Sequence, residues 1–165
     1  MVMPGQFTSP VKFTPDVIVS STLSKESRGP GFIDITGDVA RFLRDVGALE
    51  GALFAYVRHT SASLTIQENA DPDVRTDLMT ALSRLAPEDG GWVHRTEGPD
   101  DMPAHIKAML TGISLHVPVS KGMPALGTWQ GIYLIEHRAR PHRREILLQF
   151  IGTTQRQRGE RDTSG

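Results

Sequence analysis

The chain has 165 residues, with 18 basic against 19 acidic side chains, a formal net charge of −1 and no cysteine. That balance supplies no global field to attract nucleic acid or an anionic membrane, so any anion binding must be local. The missing thiols exclude disulfides and thiolate metal ligands and leave the redox compartment open.

With 38% hydrophobic and 22% charged residues, the make-up is that of one soluble globular domain, long enough to bury a sizeable core. The opening "MVMPGQFTSPVKF" has no apolar run of signal-peptide length. No segment approaches the roughly 20 residues of a membrane span, so a cytoplasmic protein is expected.

Residues 1–15 hold Pro4, Gly5, Pro10 and Pro15 and read as an extended arm. "DVIVSSTLS" (16–24) alternates as a strand, and "GFIDIT" (31–36) is a second strand behind the Arg28–Gly31 turn. In "GDVARFLRDVG" (37–47) the period changes: Val39, Phe42, Leu43 and Val46 share one helical face, with Thr36 capping the start and Gly47 the end. "ALFAYVRH" (52–59) and "SASLTIQE" (61–68) follow as strands. "PDVRTDLMTALSRL" (72–85) reads as a helix with Val74, Leu78, Leu82 and Leu85 inward, Pro72 in its first position and Asp71 as a plausible cap.

"PEDGGWVHRTEGPDD" (87–101) is longer than structureless connections usually are without a function. A short helix over 102–112 and strands over 113–119, 127–138 and 143–152 close the chain, and 153–165 reads as a fraying tail. Strands in pairs and runs with about three helices predict a single α+β domain on a largely antiparallel sheet or sandwich.

Six histidines occur. His59, His94, His105 and His137 fall at a strand end, in the long connection, on the short helix and near the end of a late strand. Three imidazoles from separate elements, joined by a carboxylate, would make an open zinc-type site. His116 and His142 read as ordinary structural or surface histidines. There is no HExxH and no Cys/His spacing, so the metal reading rests on residue type alone. Ser61 and Ser63 share a strand face with His59, but no nucleophile elbow surrounds them, which argues against a serine hydrolase. In "LGTWQGIY" (126–133), Gly127 and Gly131 read as a bulge beside a packed Trp, or else Gly127 and Thr128 let backbone N–H groups approach an anion. In the second reading Trp129 offers a flat face to a ring.

Three segments, "HTSASLTIQENADPDVRTDL", "EGPDDMPAHIKAMLTGISLHVPVSKG" and "LGTWQGIYLIEHR", resemble the YjbQ-like family, whose members are described as secondary thiamine-phosphate synthases. The resemblance runs from about Ser20 to Gly152. It implies a compact α+β fold, commonly a homotrimer, and a polar pocket handling a small phosphorylated molecule.

Carried over by position, the resemblance points to His59, Asn69, Asp71, His94, His105, Lys107, Thr128, Trp129 and Gln130. His59, His94 and His105 are expected as a catalytic and metal- or phosphate-binding cluster with a divalent cation, zinc or magnesium. Lys107 and Thr128 would hold phosphate, Trp129 would pack beside a heterocycle, and Asn69 and Asp71 would orient the cluster from their turn. The stretch "EGPDDMPAH" is longer than the "EGNADAH" of some relatives, so no role for an Asn there is carried over. Two other functions suit the same residues: a metal-dependent hydrolase of a small phosphorylated metabolite, and a non-enzymatic trimeric module that binds an anion or metabolite.

Overall fold

The structure is a computed structural model that describes residues 5–155. Its strands are β1 Val17–Glu26, β2 Gly31–Asp34, β3 Ala48–Val57, β4 Ala62–Glu68, β5 Ser114–Ser120, β6 Met123–Pro124, β7 Gln130–Glu136 and β8 Arg143–Thr154. The helices are α1 Thr36–Asp45, α2 Pro72–Leu85 and α3 Asp101–Thr111.

Every strand pair is antiparallel, in a five-stranded sheet of order β1-β8-β3-β5-β6 and a three-stranded sheet of order β2-β7-β4. Alternation along each strand decides what meets between them. Leu53, Ala55 and Val57 of β3 and Ile146, Leu148 and Phe150 of β8 meet Leu64 of β4 and Ile132 and Leu134 of β7, closed at one side by Val39 and Leu43 of α1. Strand β7 is buried on both faces except at Gln130, because α3 and α2 pack outside the smaller sheet. The α+β expectation therefore holds, with two sheets and a helical layer.

Local chemistry sets the helix ends. Gly47 closes α1 in the left-handed region, φ 68°, and its N–H reaches the Arg44 carbonyl at 3.0 Å. Thr36 is the first helical residue rather than the cap. Asp34 Oδ1 accepts its N–H at 2.8 Å, and its hydroxyl accepts the Ile132 N–H at 2.8 Å. Asp71 caps α2 by accepting the Asp73 N–H at 2.8 Å.

Some expected boundaries move. β3 starts at Ala48, four residues before the expected strand, across a register shift between Ala48 and Gly51 that breaks the alternation. β7 starts at Gln130 because residues 127–130 close a turn in which the Gln130 N–H reaches the Gly127 carbonyl and the Gly127 N–H reaches Gln130 Oε1. β8 runs to Thr154, which pairs with Ala48, so the expected tail loses its first two residues to the sheet, and 156–165 lie outside the described residues. In α2, Leu85 is exposed, since the inward stripe passes from Leu82 to Ala86 instead.

Candidate metal centre

Helix α3 buries small residues, Ala104 and Ala108, and so lies close on β4. Met109 and Leu110, although apolar, point to solvent at 78% and 56% exposure. The close approach brings the first turn of α3 to the loop before β4, where His105 Nδ1 meets the Thr60 carbonyl at 3.0 Å. Asp101 sits one turn earlier on the same face, the i,i+4 neighbour of His105. The connection before α3 is pinned by Trp92, whose Nε1–H donates to the Pro87 carbonyl at 2.7 Å. It delivers His94 to the same point.

There, Asp101 Oδ2 lies 2.8 Å from His94 Nε2 and 3.2 Å from His105 Nε2. One ligand atom from each of the three falls within 4.8 Å of the others. The tautomer of His105 follows from its partner. A carbonyl only accepts, so His105 carries its proton on Nδ1 and turns the Nε2 lone pair toward a carboxylate oxygen. Lone pair then opposes lone pair unless a proton or a cation stands between them. Two imidazoles and one carboxylate, partly open to solvent, are a donor set suited to zinc-like ions better than to magnesium, which prefers oxygen.

A second layer holds these ligands. Arg138 binds Asp101 Oδ1, donates from Nε to Asp100 Oδ2 at 2.9 Å and from Nη2 to the Glu97 carbonyl at 2.8 Å. Burial would raise the Asp100 pKa, but the Ala139 N–H and Arg138 bring it below the usual carboxylate range. Two residues before Arg138, Glu136 is fully buried and paired with Arg144 through two contacts of 2.6 and 2.8 Å. Burial opposes the Glu136 charge; Arg144, the Arg138 N–H and Ser27 outweigh it and lower its pKa.

Arg144 also reaches Ser61 Oγ at 3.2 Å. His137 Nε2 lies 2.8 Å from Ser63 Oγ, itself 2.6 Å from Thr111 Oγ1, while His137 Nδ1 is buried without a hydrogen-bond partner. The run of hydroxyls after His59 is thus a supporting layer that ties β4 to α3, β7 and β8.

Of the residues expected in the site, His94 and His105 converge and Asp101 joins them. His59 does not: its Nε2 accepts the Glu145 N–H at 3.0 Å, which takes the lone pair a metal would need. His59 and His105 do line one open cleft of 310 Å³ with Thr60, Ala108, Met109 and Ile113. Burial pushes the Lys107 ammonium below its usual range. Asn69, Thr128 and Gln130 form a separate group in which Asn69 Nδ2 donates to the Gln130 carbonyl at 3.2 Å, beside an exposed Trp129.

That group and the capping Asp71 sit at the Glu68/Gln130 end of the β4–β7 ladder, whereas Thr60 and Arg138 flank the Ala62/Glu136 end. Six residues of strand separate the ends by roughly 20 Å. Within one chain the turn group therefore does not border the histidines. His116 is exposed and packs edge-on against Phe54, and His142 Nδ1 pairs with the Arg140 carbonyl, as structural histidines.

Asp101, Glu136, Arg138 and Arg144 were not anticipated. Asp101 and His105 are spaced to share a helical face, and a glutamate ending the apolar run "IYLI" signals a buried carboxylate in need of a cationic partner, here Arg144, but neither pattern is specific alone.

Fold and site together define a class: a small antiparallel two-sheet α+β protein with a His/Asp cluster between its helical layer and one end of its sheets. The family model described as UPF0047 protein YjbQ-like matches residues 21–153, and the chain belongs to that family. It is 48% identical over 127 residues to UPF0047 protein sll1880 of Synechocystis, covering 76% of this chain and 86% of the relative. It is 45% identical over 132 residues to UPF0047 protein YjbQ of Escherichia coli O157:H7, covering 79% and 94%. Among solved structures, the conserved hypothetical protein TT1486 of Thermus thermophilus superimposes with a TM-score of 0.72 at 35% identity, covering 79% of this chain and 98% of that one. An uncharacterized conserved protein of the same family from Clostridium acetobutylicum gives 0.72 at 38% identity, covering 81% and 99%. None of the described helices is long and apolar enough to cross a membrane.

Proposed function

We propose that the chain is a cytoplasmic, homotrimeric, metal-assisted enzyme acting on a small phosphorylated molecule. The reaction class that its family resemblance implies is thiamine-phosphate synthase transfer: a pyrimidine-methyl diphosphate joins a thiazole phosphate and pyrophosphate leaves. The observation supporting a metal is the meeting of His94 Nε2, His105 Nε2 and Asp101 Oδ2 with the His105 proton held on the far nitrogen. A zinc-like ion held there would neutralise phosphate charge or polarise a bound water.

The chain's own residues supply position. Arg138 occupies Asp101 Oδ1 and leaves Oδ2 for the ion, and the Thr60 carbonyl orients His105. Two imidazoles and one carboxylate with an open face also suit hydrolysis of a phosphorylated metabolite, which is the second reading.

Metal analysis of untagged protein purified without chelator separates these readings from a metal-free binding module. The expected result is about one zinc-like ion per chain, lost in His105→Ala while the circular dichroism spectrum is kept. Loaded protein should then release pyrophosphate from the two thiamine precursors, and His105→Ala should not. Release of inorganic phosphate from simple monoesters instead would favour the hydrolase, and a chain that retains no metal would overturn the centre.

A further inference from the structure

Two histidines line one cleft beside the metal centre, and the backbone fixes both in the same tautomer while holding opposite nitrogens, Nδ1 of His105 and Nε2 of His59. His105 gives its Nδ1–H to the Thr60 carbonyl and keeps a lone pair at Nε2. His59 receives the Glu145 N–H at Nε2, 3.0 Å away. A backbone amide can only donate, so His59 Nε2 is unprotonated and the proton of the neutral ring is on Nδ1. One ring can therefore ligate, and the other can only donate.

We propose that His59 is a substrate-positioning hydrogen-bond donor, and that the cleft it shares with His105 holds an uncharged, acceptor-bearing part of the phosphorylated molecule. Around the two imidazoles the cleft offers Ala108, Met109, Gly112 and Ile113, and no carboxylate or ammonium lines it. Such walls favour an apolar or heteroaromatic body over a second charged group. A single fixed N–H among apolar walls discriminates strongly, because an analogue without the acceptor leaves that donor unpaired. His105 touches both regions, so a phosphate at the ion and a ring in the cleft would belong to one molecule. Burial, followed by the Arg144 charge, lowers the His59 pKa and keeps the ring neutral at pH 7.

The inference rests on the metal-centre reading for the phosphate end alone, and the tests keep the two apart. Nitrogen-15 NMR of metal-free protein at pH 7 should show His59 protonated at Nδ1 and bare at Nε2. Calorimetry on zinc-loaded protein should then compare benzyl phosphate with the three pyridylmethyl phosphates, which differ from it by one ring acceptor.

At least one pyridyl isomer should bind about fivefold to tenfold more tightly, the worth of a single hydrogen bond. His59→Phe should erase that difference while keeping the zinc stoichiometry and the affinity for inorganic phosphate. His59→Gln, which can still accept the Glu145 N–H and offer a donor, should retain part of it and serves if the Phe variant does not fold. The proposal is overturned if His59 is an imidazolium or carries its proton on Nε2. It is equally overturned if His59→Phe loses zinc as His105→Ala does, or if all four phosphates bind wild type alike. A wild type that takes up no zinc, with His59 in the expected tautomer, overturns the metal centre and leaves the donor assignment standing.

Discussion

At the scale of single residues, the buried polar side chains make the sharpest thermodynamic statements. His137 is 2% exposed, and burial, followed by the Lys107 charge, lowers its pKa from 6.5 to about 4. In the unfolded chain it takes a proton near pH 6.5, whereas the folded chain resists protonation down to about pH 4. The unfolded state thus binds more protons in that window, and stability falls as pH is lowered from 6.5 toward 4. The loss should be on the order of 2–3 kcal/mol, read as a drop in urea-unfolding free energy between pH 7 and pH 4.5. His137→Phe should flatten that slope, and an unchanged slope would mean that another group titrates there. Glu136 acts in the same direction at lower pH, because its folded pKa lies below its unfolded one.

Legibility at this scale was uneven for a physical reason. His94 and His105 were readable because imidazole is rare and chemically pointed. Asp101 looked like one more acid at a helix start, and only its partners distinguish it. Tautomers follow from backbone partners brought from far along the chain, 86 residues away for His59 and Glu145. No local pattern carries that information.

At the scale of elements, the periodic segments gave up their identity easily. The alternation of β1, the stripe of α1 and the proline-capped start of α2 are each visible in the letters. What they did not show was the close meeting of β3 and β8 beside the register shift. There Gly51 lies opposite Gly152. A Cβ on Gly152 would stand 2.2 Å from the Glu50 carbonyl oxygen and 2.5 Å from Phe150 Cζ, and one on Gly51 would stand 2.2 Å from the Ile151 oxygen.

Backbone on both sides cannot yield as a flexible side chain does. Gly152→Ala should therefore cost about 1–3 kcal/mol, the usual range for overpacking. Gly37 in α1 is the contrast, since a Cβ there meets nothing within 4 Å. Gly37→Ala should raise the thermal midpoint, by up to about 0.5–1 kcal/mol of stability. Equal tolerance at both sites would deny that the two strands meet this tightly.

At the scale of the molecule, the five-stranded sheet uses one face for the core, and among the described residues no helix covers the other. Register aligns Pro118, Ala52, Ile151 and Ile18 in one row across that outer face, and Ser114, Tyr56, Leu147 and Thr22 in another. Ile18 is 69% and Tyr56 43% exposed, and Phe54, Leu147 and Ile151 are half-buried beside them. Helices α2 and α3 cover the smaller sheet instead. The row between those two carries His116, Phe54, Gln149 and Ser20, so the face mixes polar side chains with large apolar ones, and exposed apolar residues in such a patch suit contact with another surface. The trimer proposed above would supply such a surface in further copies of the chain. Light scattering at micromolar concentration should give three times the chain mass. Tyr56→Glu places a charge within that face at an exposed position where folding does not need the phenol, so the variant should run as a monomer with an unchanged circular dichroism spectrum. A wild type of single-chain mass would remove the trimer, and a trimeric Tyr56→Glu would move the interface to another surface.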